Sequence, residues 1–196
     1  MVAGLHLTVR ETAELSGVGF KTVEKAVDNR IVRVVIKPSL KTRKMRYLPL
    51  NAVVFFSALD VDVLKGLSVA RKRELWKKLE KLDTRRLGTI EIAHGLSLDL
   101  GVLSAEPAER ARDYTEARDR YIECHADILG GTPVIRGTRL TVYAVKARID
   151  AGEPVDELID DYPEVPAAAI EAANLYARTH PMLGRPSAGK PWREAA

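Results

Sequence analysis

The residues of this chain whose types suggest chemistry most directly lie in one stretch, ECHADILGGTPVIRGTRLTV, over residues 123–142. Glu123, Cys124 and His125 are of the types that bind metals, and a cysteine can also serve as a thiol nucleophile. Adjacent residues on a strand point to opposite faces, however, and no second cluster of Cys or His lies close in sequence. We therefore expect no metal site, no cofactor and no enzymatic activity here.

The glycines of this stretch do not form a nucleotide-binding loop either. That loop needs four residues between its glycines, followed by Lys and then Ser or Thr. Here Gly131 and Gly137 enclose five residues, and Thr138-Arg139 follows. The glycines instead predict tight turns on either side of Val134-Ile135, a short buried strand, and Pro133 keeps the residue before it extended.

Capping residues and helix breakers beyond this strand predict three short helices joined by tight turns. Thr138 or Thr141 can cap the first helix, which a left-handed Gly152 would end. Pro154 and Pro166 are expected at the first positions of the second and third helices. The candidate core of the segment is Val142, Val145, Ile149, Leu158, Ile159, Ile170, Ala173 and Tyr176.

The beginning of the chain has different signals, which predict two helices separated by a sharp turn. Thr8 and Glu11 have the spacing of a capping box, so a helix is expected to begin directly after Thr8. The run SGVG over residues 16–19 predicts the turn before a second helix over residues 20–28. Asn29 is expected to end this helix in the left-handed conformation.

A two-stranded wing is predicted next, from a β-branched run over residues 31–36, the basic loop KPSLKTRK and a returning strand over 45–48. Residues 1–50 hold ten Lys and Arg against four Asp and Glu. A helix-turn-helix with a basic wing is typical of a nucleic-acid-binding head, although a solvated basic face would have the same composition. The expected DNA contacts are Lys21, Thr22, Lys25, Arg43, Lys44 and Arg46.

The middle of the chain predicts an amphipathic helix and a hairpin. Ser68 can cap the helix VARKRELWKKLEKLD, whose basic residues cover one face as solvated charges or as further phosphate contacts. Alternation on either side of His94-Gly95 predicts the hairpin, with a tight turn at that pair. A helix over about 108–120 or a second copy of the chain could cover its apolar face. That face is Ile90, Ile92, Leu96, Leu98 and Leu100.

Charge divides the chain into a basic and an acidic part. Residues 65–86 hold nine basic against three acidic residues, whereas residues 87–196 hold twelve against eighteen. Hydrophobic residues make up 46%, and no apolar run approaches the roughly 20 residues of a membrane span. The start lacks a secretory pattern and Cys124 is the single cysteine, so we expect a cytoplasmic protein without a membrane contact.

The order of these motifs resembles known families. LTVRETAELSGVGFKTVEKAVDNRIV, with RYLPLNAVVFF after the wing, resembles the winged helix-turn-helix of MerR-like and excisionase-like proteins, although Gly19 stands where these proteins usually have Ser or Thr. Residues 128–177 resemble a three-helix family of unknown function marked by G-G-x-P-V-I-x-G-T-R. The matching motif residues are Gly130, Gly131, Pro133, Ile135, Gly137, Thr138 and Arg139, which we expect to be structural.

Members of the three-helix family resemble antitoxins encoded beside small PIN-like ribonucleases, so the whole chain resembles a VapB-type antitoxin with a MerR-like head. The resemblance implies operator DNA and a ribonuclease toxin as partners, and paired operator half-sites predict a homodimer. A stand-alone transcription regulator is the alternative. In the tail, Arg185, Trp192 and Arg193 are candidate toxin contacts, since a guanidinium fork suits a carboxylate cluster.

Together the patterns predict a mainly α-helical fold with small β elements, in four parts. The parts are a winged helix-turn-helix over residues 1–60, a connector over 61–120, a three-helix domain over 121–181 and a tail over 182–196.

Overall fold

A computed structural model describes residues 6–38, 44–125 and 127–182, with the backbone alone given for Lys37, Pro38, Lys44, Asp62 and Val63. It is mainly helical with three small antiparallel sheets, which confirms the expected fold class. The helices are α1 (Val9–Ser16), α2 (Phe20–Asp28), α3 (Asn51–Leu59), α4 (Asp62–Lys65), α5 (Val69–Leu79), α6 (Leu100–Tyr121), α7 (Val142–Asp150), α8 (Val155–Asp161) and α9 (Ala167–Thr179). The strands are β1 (His6–Thr8), β2 (Val35–Pro38), β3 (Lys44–Pro49), β4 (Thr89–Ala93), β5 (Leu96–Asp99), β6 (Ile122–Glu123) and β7 (Val134–Ile135).

The head combines α1 and α2 with a sheet in the order β1-β3-β2. The predicted capping box begins α1: the Thr8 N–H donates to Glu11 Oε2 at 2.6 Å, and the Glu11 N–H donates to Thr8 Oγ1 at 3.2 Å. Gly17, at φ +75°, makes the turn into α2. Val23 and Ala26 of α2 belong to a buried core that also takes in α3, α5 and the first part of α6, so the head shares its core with the connector.

Two predictions about the end of α2 are wrong. Asn29 has φ −77°, and Arg30, at φ 52°, takes the left-handed conformation instead. The strand begins at Val35, because Ile31 and Val32 are buried in the head core before the chain reaches the sheet. Burial of these two side chains therefore overrides their β-branched preference for a strand.

The hairpin of β4 and β5 forms as predicted, with Gly95 at φ +74° in its turn. Leu100 does not belong to the hairpin but begins α6, where the Asp99 carboxylate accepts from Gly101 N at 2.9 Å. Leu98 is only 9% exposed and packs against the chain's own helices. Cover within the chain, one of the two alternatives, is thus found for this part of the hairpin face.

Helix α6 begins eight residues before the predicted start at about residue 108 and includes Pro107. Its first two turns are held against α3: Ser57 Oγ donates to Ser104 Oγ at 2.9 Å, and Ser104 Oγ donates to the Val54 carbonyl at 3.2 Å. Leu100 and Ser104 are fully buried there. Tertiary packing outweighs the helix-breaking preference of the proline.

The three-helix segment, residues 122–180, forms as predicted with α7, α8 and α9 around one core. Thr141 caps α7 by accepting from Ala144 N at 3.0 Å, and Gly152 has φ +90° beyond its end. Pro154 and Pro166 stand one position earlier than expected, as the N-caps of α8 and α9. The core prediction holds: Val142, Val145, Leu158, Ile170 and Ala173 are buried, and Ile149, Ile159 and Tyr176 are partly buried against them.

Helix α6 also joins the head to the three-helix segment. It packs on α1, α3 and α9, and Leu7, Leu15, Tyr114 and Ala172 share a small core where these elements meet. At the far end of α9, Arg178 forms an ion pair with Glu14 of α1. No described helix is long and apolar enough to cross a membrane.

Candidate nucleic-acid interface

Helix α2 presents the predicted contact residues to solvent. Burial of Val23, Ala26 and Val27 on one side leaves Lys21, Thr22 and Lys25 exposed on the other, as the helical period requires. Neither lysine forms an ion pair within the described residues. The two ammonium groups are therefore available to phosphates.

Acidic residues interrupt this exposed face. Glu24 and Asp28 are exposed on the same helix, and Asp28 accepts from Arg46 Nη1 of β3 at 2.7 Å. The two side chains of this ion pair, Arg46 and Asp28, are 51% and 58% exposed. The structure thus gives Arg46 a carboxylate partner that links the wing to α2, which the sequence did not indicate.

The other two predicted wing contacts are Arg43 and Lys44. Arg43 lies outside the described residues, and of Lys44 the backbone alone is described, as the first residue of β3. Arg33, which was not among the predicted contacts, is exposed just before β2 and forms no ion pair within the described part of the chain.

Helix α5 brings further cations to the end of α2. Arg73 Nη2 donates to the Asn29 carbonyl at 2.7 Å, which places α5 beside the end of α2. Arg73 and Lys77, one turn apart, are exposed, as is Arg30 next to Asn29. We call this set the basic surface; its members are Lys21, Lys25, Arg30, Arg73 and Lys77.

An open cavity of about 370 Å³ lies on another side of α2, between α1, β3 and the end of α9. The Arg10 guanidinium stands 4.5 Å from the centre of the Phe20 ring on its wall. His180 also lines it, stacked on Tyr176 with ring centres 4.0 Å apart. Burial lowers the pKa of His180 from its ordinary value, against the opposing effect of the Glu11 carboxylate.

Glu11 is buried beneath this cavity. Its carboxylate accepts from Tyr114 Oη at 2.5 Å and from Arg118 Nη1 at 3.0 Å, both on α6. Burial alone would raise the pKa of Glu11, but the Arg118 charge and the hydrogen bonds outweigh it and hold the pKa below its ordinary value. Sequence reasoning found Glu11 only as a helix cap, because its α6 partners are more than 100 residues away.

The glycine-rich part of residues 123–142 forms tight turns. Gly130, Gly131 and Gly137 have φ between +64° and +79°. Ile135 is buried and Pro133 is half-buried, as expected of structural residues. Thr138 Oγ1 donates to the Ile135 carbonyl at 2.8 Å. Arg139 is the exception, since it is exposed and none of the described residues holds its side chain by a hydrogen bond or ion pair.

Of Glu123, Cys124 and His125, only the first and the last approach each other, with Glu123 Oε2 3.7 Å from His125 Nε2. Glu123 lies 3.4 Å from Arg136 Nε, and the Cys124 thiol donates to the Gly131 carbonyl at 2.9 Å. Among the described residues, no three His, Cys, Asp or Glu side chains are grouped so that they could hold a metal ion. Arg185, Trp192 and Arg193 of the tail lie outside the described residues.

Comparison with known proteins adds a partial relationship. A family model described as a protein of unknown function (DUF433) matches residues 122–177. The uncharacterized protein y4eO of Sinorhizobium fredii is 40% identical over 90 residues, which are 46% of this chain and 40% of that protein. The chain therefore matches less than half the length of this relative, and no solved structure matches it. The three-helix segment is thus similar to a family of unknown function.

Proposed function

We propose that the chain is an antitoxin of a toxin-antitoxin pair, which binds operator DNA through its head and neutralises a PIN-like ribonuclease through its three-helix segment. The observation that carries the DNA-binding half is the basic surface. Lys21 and Lys25 lie on α2, Arg30 follows its end, and Arg73 and Lys77 lie on α5, and none of the five forms an ion pair among the described residues. Duplex DNA attracts such a surface through its phosphates, and an exposed helix with Lys and Thr at its start can enter the major groove.

The three-helix segment is assigned to protein contacts because its charge does not suit a second DNA reader. Residues 140–180 hold three basic against eight acidic residues. Arg178, the basic residue of α9, is already paired with Glu14. The antitoxin assignment itself rests on the resemblance of this segment's motif to antitoxins encoded beside small ribonucleases.

A stand-alone transcription regulator is the second candidate, and the cavity beside α2 favours it. The cavity is lined by Arg10 and by the Arg46–Asp28 pair, with Glu24 and His180, so it offers groups of both charges to a small polar effector next to the DNA-binding helix. The neighbouring reading frame separates the two candidates: a short gene for an α/β protein with several spaced Asp and Glu residues is expected for an antitoxin.

Replacement of the two lysines of α2 tests the DNA-binding half. Lys21→Ala with Lys25→Ala should weaken binding to duplex DNA from upstream of the chain's own gene. The slope of log K against log salt should become shallower by about 0.9 for each phosphate that the variant no longer neutralises. Gel shifts over a salt series measure both quantities.

The control removes the same amount of charge elsewhere, by Arg120→Ala with Arg136→Ala. Both arginines are exposed and lie outside the head. The control variant should keep the wild-type affinity and slope. An unchanged salt slope in the Lys21 and Lys25 variant would remove α2 as the DNA-binding element.

A further inference from the structure

One cation of the three-helix segment has no ion-pair partner among the described residues. Residues 122–180 hold five Lys and Arg, and four of them form ion pairs. Arg139 is the fifth; it is exposed and forms no ion pair within the described residues. The paired ones are Arg136 with Glu123, Lys146 with Asp150, Arg148 with Glu153 and Asp161, and Arg178 with Glu14.

The turn that carries Arg139 is fixed on both sides. Gly137 has φ +78°, a conformation that a side chain would strain. Thr138 Oγ1 donates to the Ile135 carbonyl at 2.8 Å and accepts from the Leu140 N–H at 3.0 Å. Ile135 and Leu140 are buried. The backbone of Arg139 is therefore held in place, while its guanidinium stays available to another molecule.

This guanidinium borders the wall of an open cavity of about 470 Å³. The cavity lies between the turn, the start of α7 and the end of α8. Its lining residues are Gly137, Thr138, Arg139, Leu140, Thr141, Ala144, Tyr162 and Glu164. A concave surface that holds an available arginine is suited to receive an acidic side chain from another molecule.

The charge of α8, whose end borders the cavity, restricts what that molecule can be. Asp156, Glu157 and Asp160 of α8 are exposed and form no ion pair within the described residues, and Glu164 lines the cavity itself. These carboxylates would repel a nucleic acid, whose charge is uniformly negative. A fitting partner has the opposite arrangement, with carboxylates set within a basic surface.

A metal-dependent ribonuclease has this arrangement for chemical reasons, because it needs carboxylates to hold its metal ion and cations to bind RNA. We propose that Arg139 and the cavity beside it form the surface by which the three-helix segment binds the ribonuclease, with the guanidinium forked onto a carboxylate of that protein. This inference rests on the proposed function and places the main contact in the described segment instead of the tail.

The test is to co-express the full chain with the small ribonuclease that the antitoxin proposal expects beside its gene, and to measure the affinity of the complex and the residual RNA cleavage. Arg139→Ala should raise the Kd at least about 30-fold, as expected when one partner of a charge-assisted pair is removed. The Kd of Arg139→Lys should lie between those of the wild type and Arg139→Ala, because an ammonium cannot form the bidentate fork. The melting temperature and DNA binding should not change, since no described residue bonds to the Arg139 side chain.

Arg136→Ala is the matched control, since Arg136 is also exposed and three residues away but already faces Glu123. It should neutralise the ribonuclease as well as the wild type does. Wild-type neutralisation by Arg139→Ala would overturn the inference and leave the antitoxin proposal intact. So would an Arg139→Ala variant that changes only self-association of the chain. A wild-type chain that does not bind the ribonuclease would overturn both.

Discussion

At the scale of single residues, Glu11 ties the head to the rest of the chain. The side chains of Glu11 and Arg118 are 1% and 15% exposed, so their ion pair is screened little by water. Arg118→Ala would leave the carboxylate buried without its charge partner and should lower the free energy of unfolding by about 3–5 kcal/mol. Arg120→Ala, two residues along α6 and exposed, should have little effect. Urea unfolding of the two variants measures the difference.

The same residue should make stability depend on pH. The folded-state pKa of Glu11 is lowered, so its contribution is fully present above the ordinary glutamate pKa of about 4.3 and is lost as the pH falls through the folded value. Glu11→Gln should therefore flatten the loss of melting temperature in acid, although it destabilises the chain at pH 7. If the melting temperatures of the wild type and the Gln variant change in parallel between about pH 3 and pH 7, the carboxylate does not make stability depend on pH in this way.

At the scale of elements, two leucines of the hairpin distinguish packing within the chain from packing between two chains. Leu98 is 9% exposed and belongs to the core, whereas Leu96 is 44% exposed in a groove against α5 that both apolar and charged side chains line. Leu98→Asp should unfold the hairpin region and cost about 3–5 kcal/mol, the cost of an unpaired buried charge. Leu96→Asp should keep the fold and, if a homodimer forms through this groove, yield monomers.

Light scattering and thermal unfolding of the two variants check this prediction together. A stable Leu98→Asp variant would contradict the within-chain packing of the hairpin. A Leu96→Asp variant that remains dimeric would place the dimer interface elsewhere, and a monomeric wild type would remove the homodimer.

Sequence signals that act over a few residues predicted the right elements. The Thr8 and Glu11 box, the Ser68 cap and the Thr141 cap of α7 are local, and each stands where it was expected. Long-range contacts were not predictable in this way. The early start of α6 depends on Ser57, 47 residues from Ser104, and the joining of α5 to α2 depends on Arg73 and Asn29, which are 44 residues apart.

The candidate interface follows the same division. Exposure of Lys21 and Lys25 follows from the helical period of α2 and could be read from the sequence. The pairing of Arg46 with Asp28 could not, because it depends on how β3 lies against α2. Arg139 was correctly placed in a turn, but its availability became visible only when the ion pairs of the segment's other cations were located.

At the scale of the whole molecule, groups of opposite charge lie on different elements of one packed structure. The basic surface lies on α2 and α5, whereas the exposed carboxylates Asp156, Glu157 and Asp160 lie on α8, whose end borders the Arg139 cavity. Helix α9 connects them, since it is part of the three-helix core and also pairs with α1 through Arg178 and Glu14. We therefore expect the two partners to bind at the same time without competing for one surface.

Hydrogen exchange of the full chain tests this division of labour most directly. The exchange would be measured for the chain alone, for the chain with duplex DNA from upstream of its gene, and for the chain with the co-expressed ribonuclease. We expect DNA to protect amides of α2 and of α5 around Arg73 and Lys77, and the ribonuclease to protect residues 137–144 and the end of α8. Protection of α7 to α9 by DNA, with α2 unchanged, would contradict it.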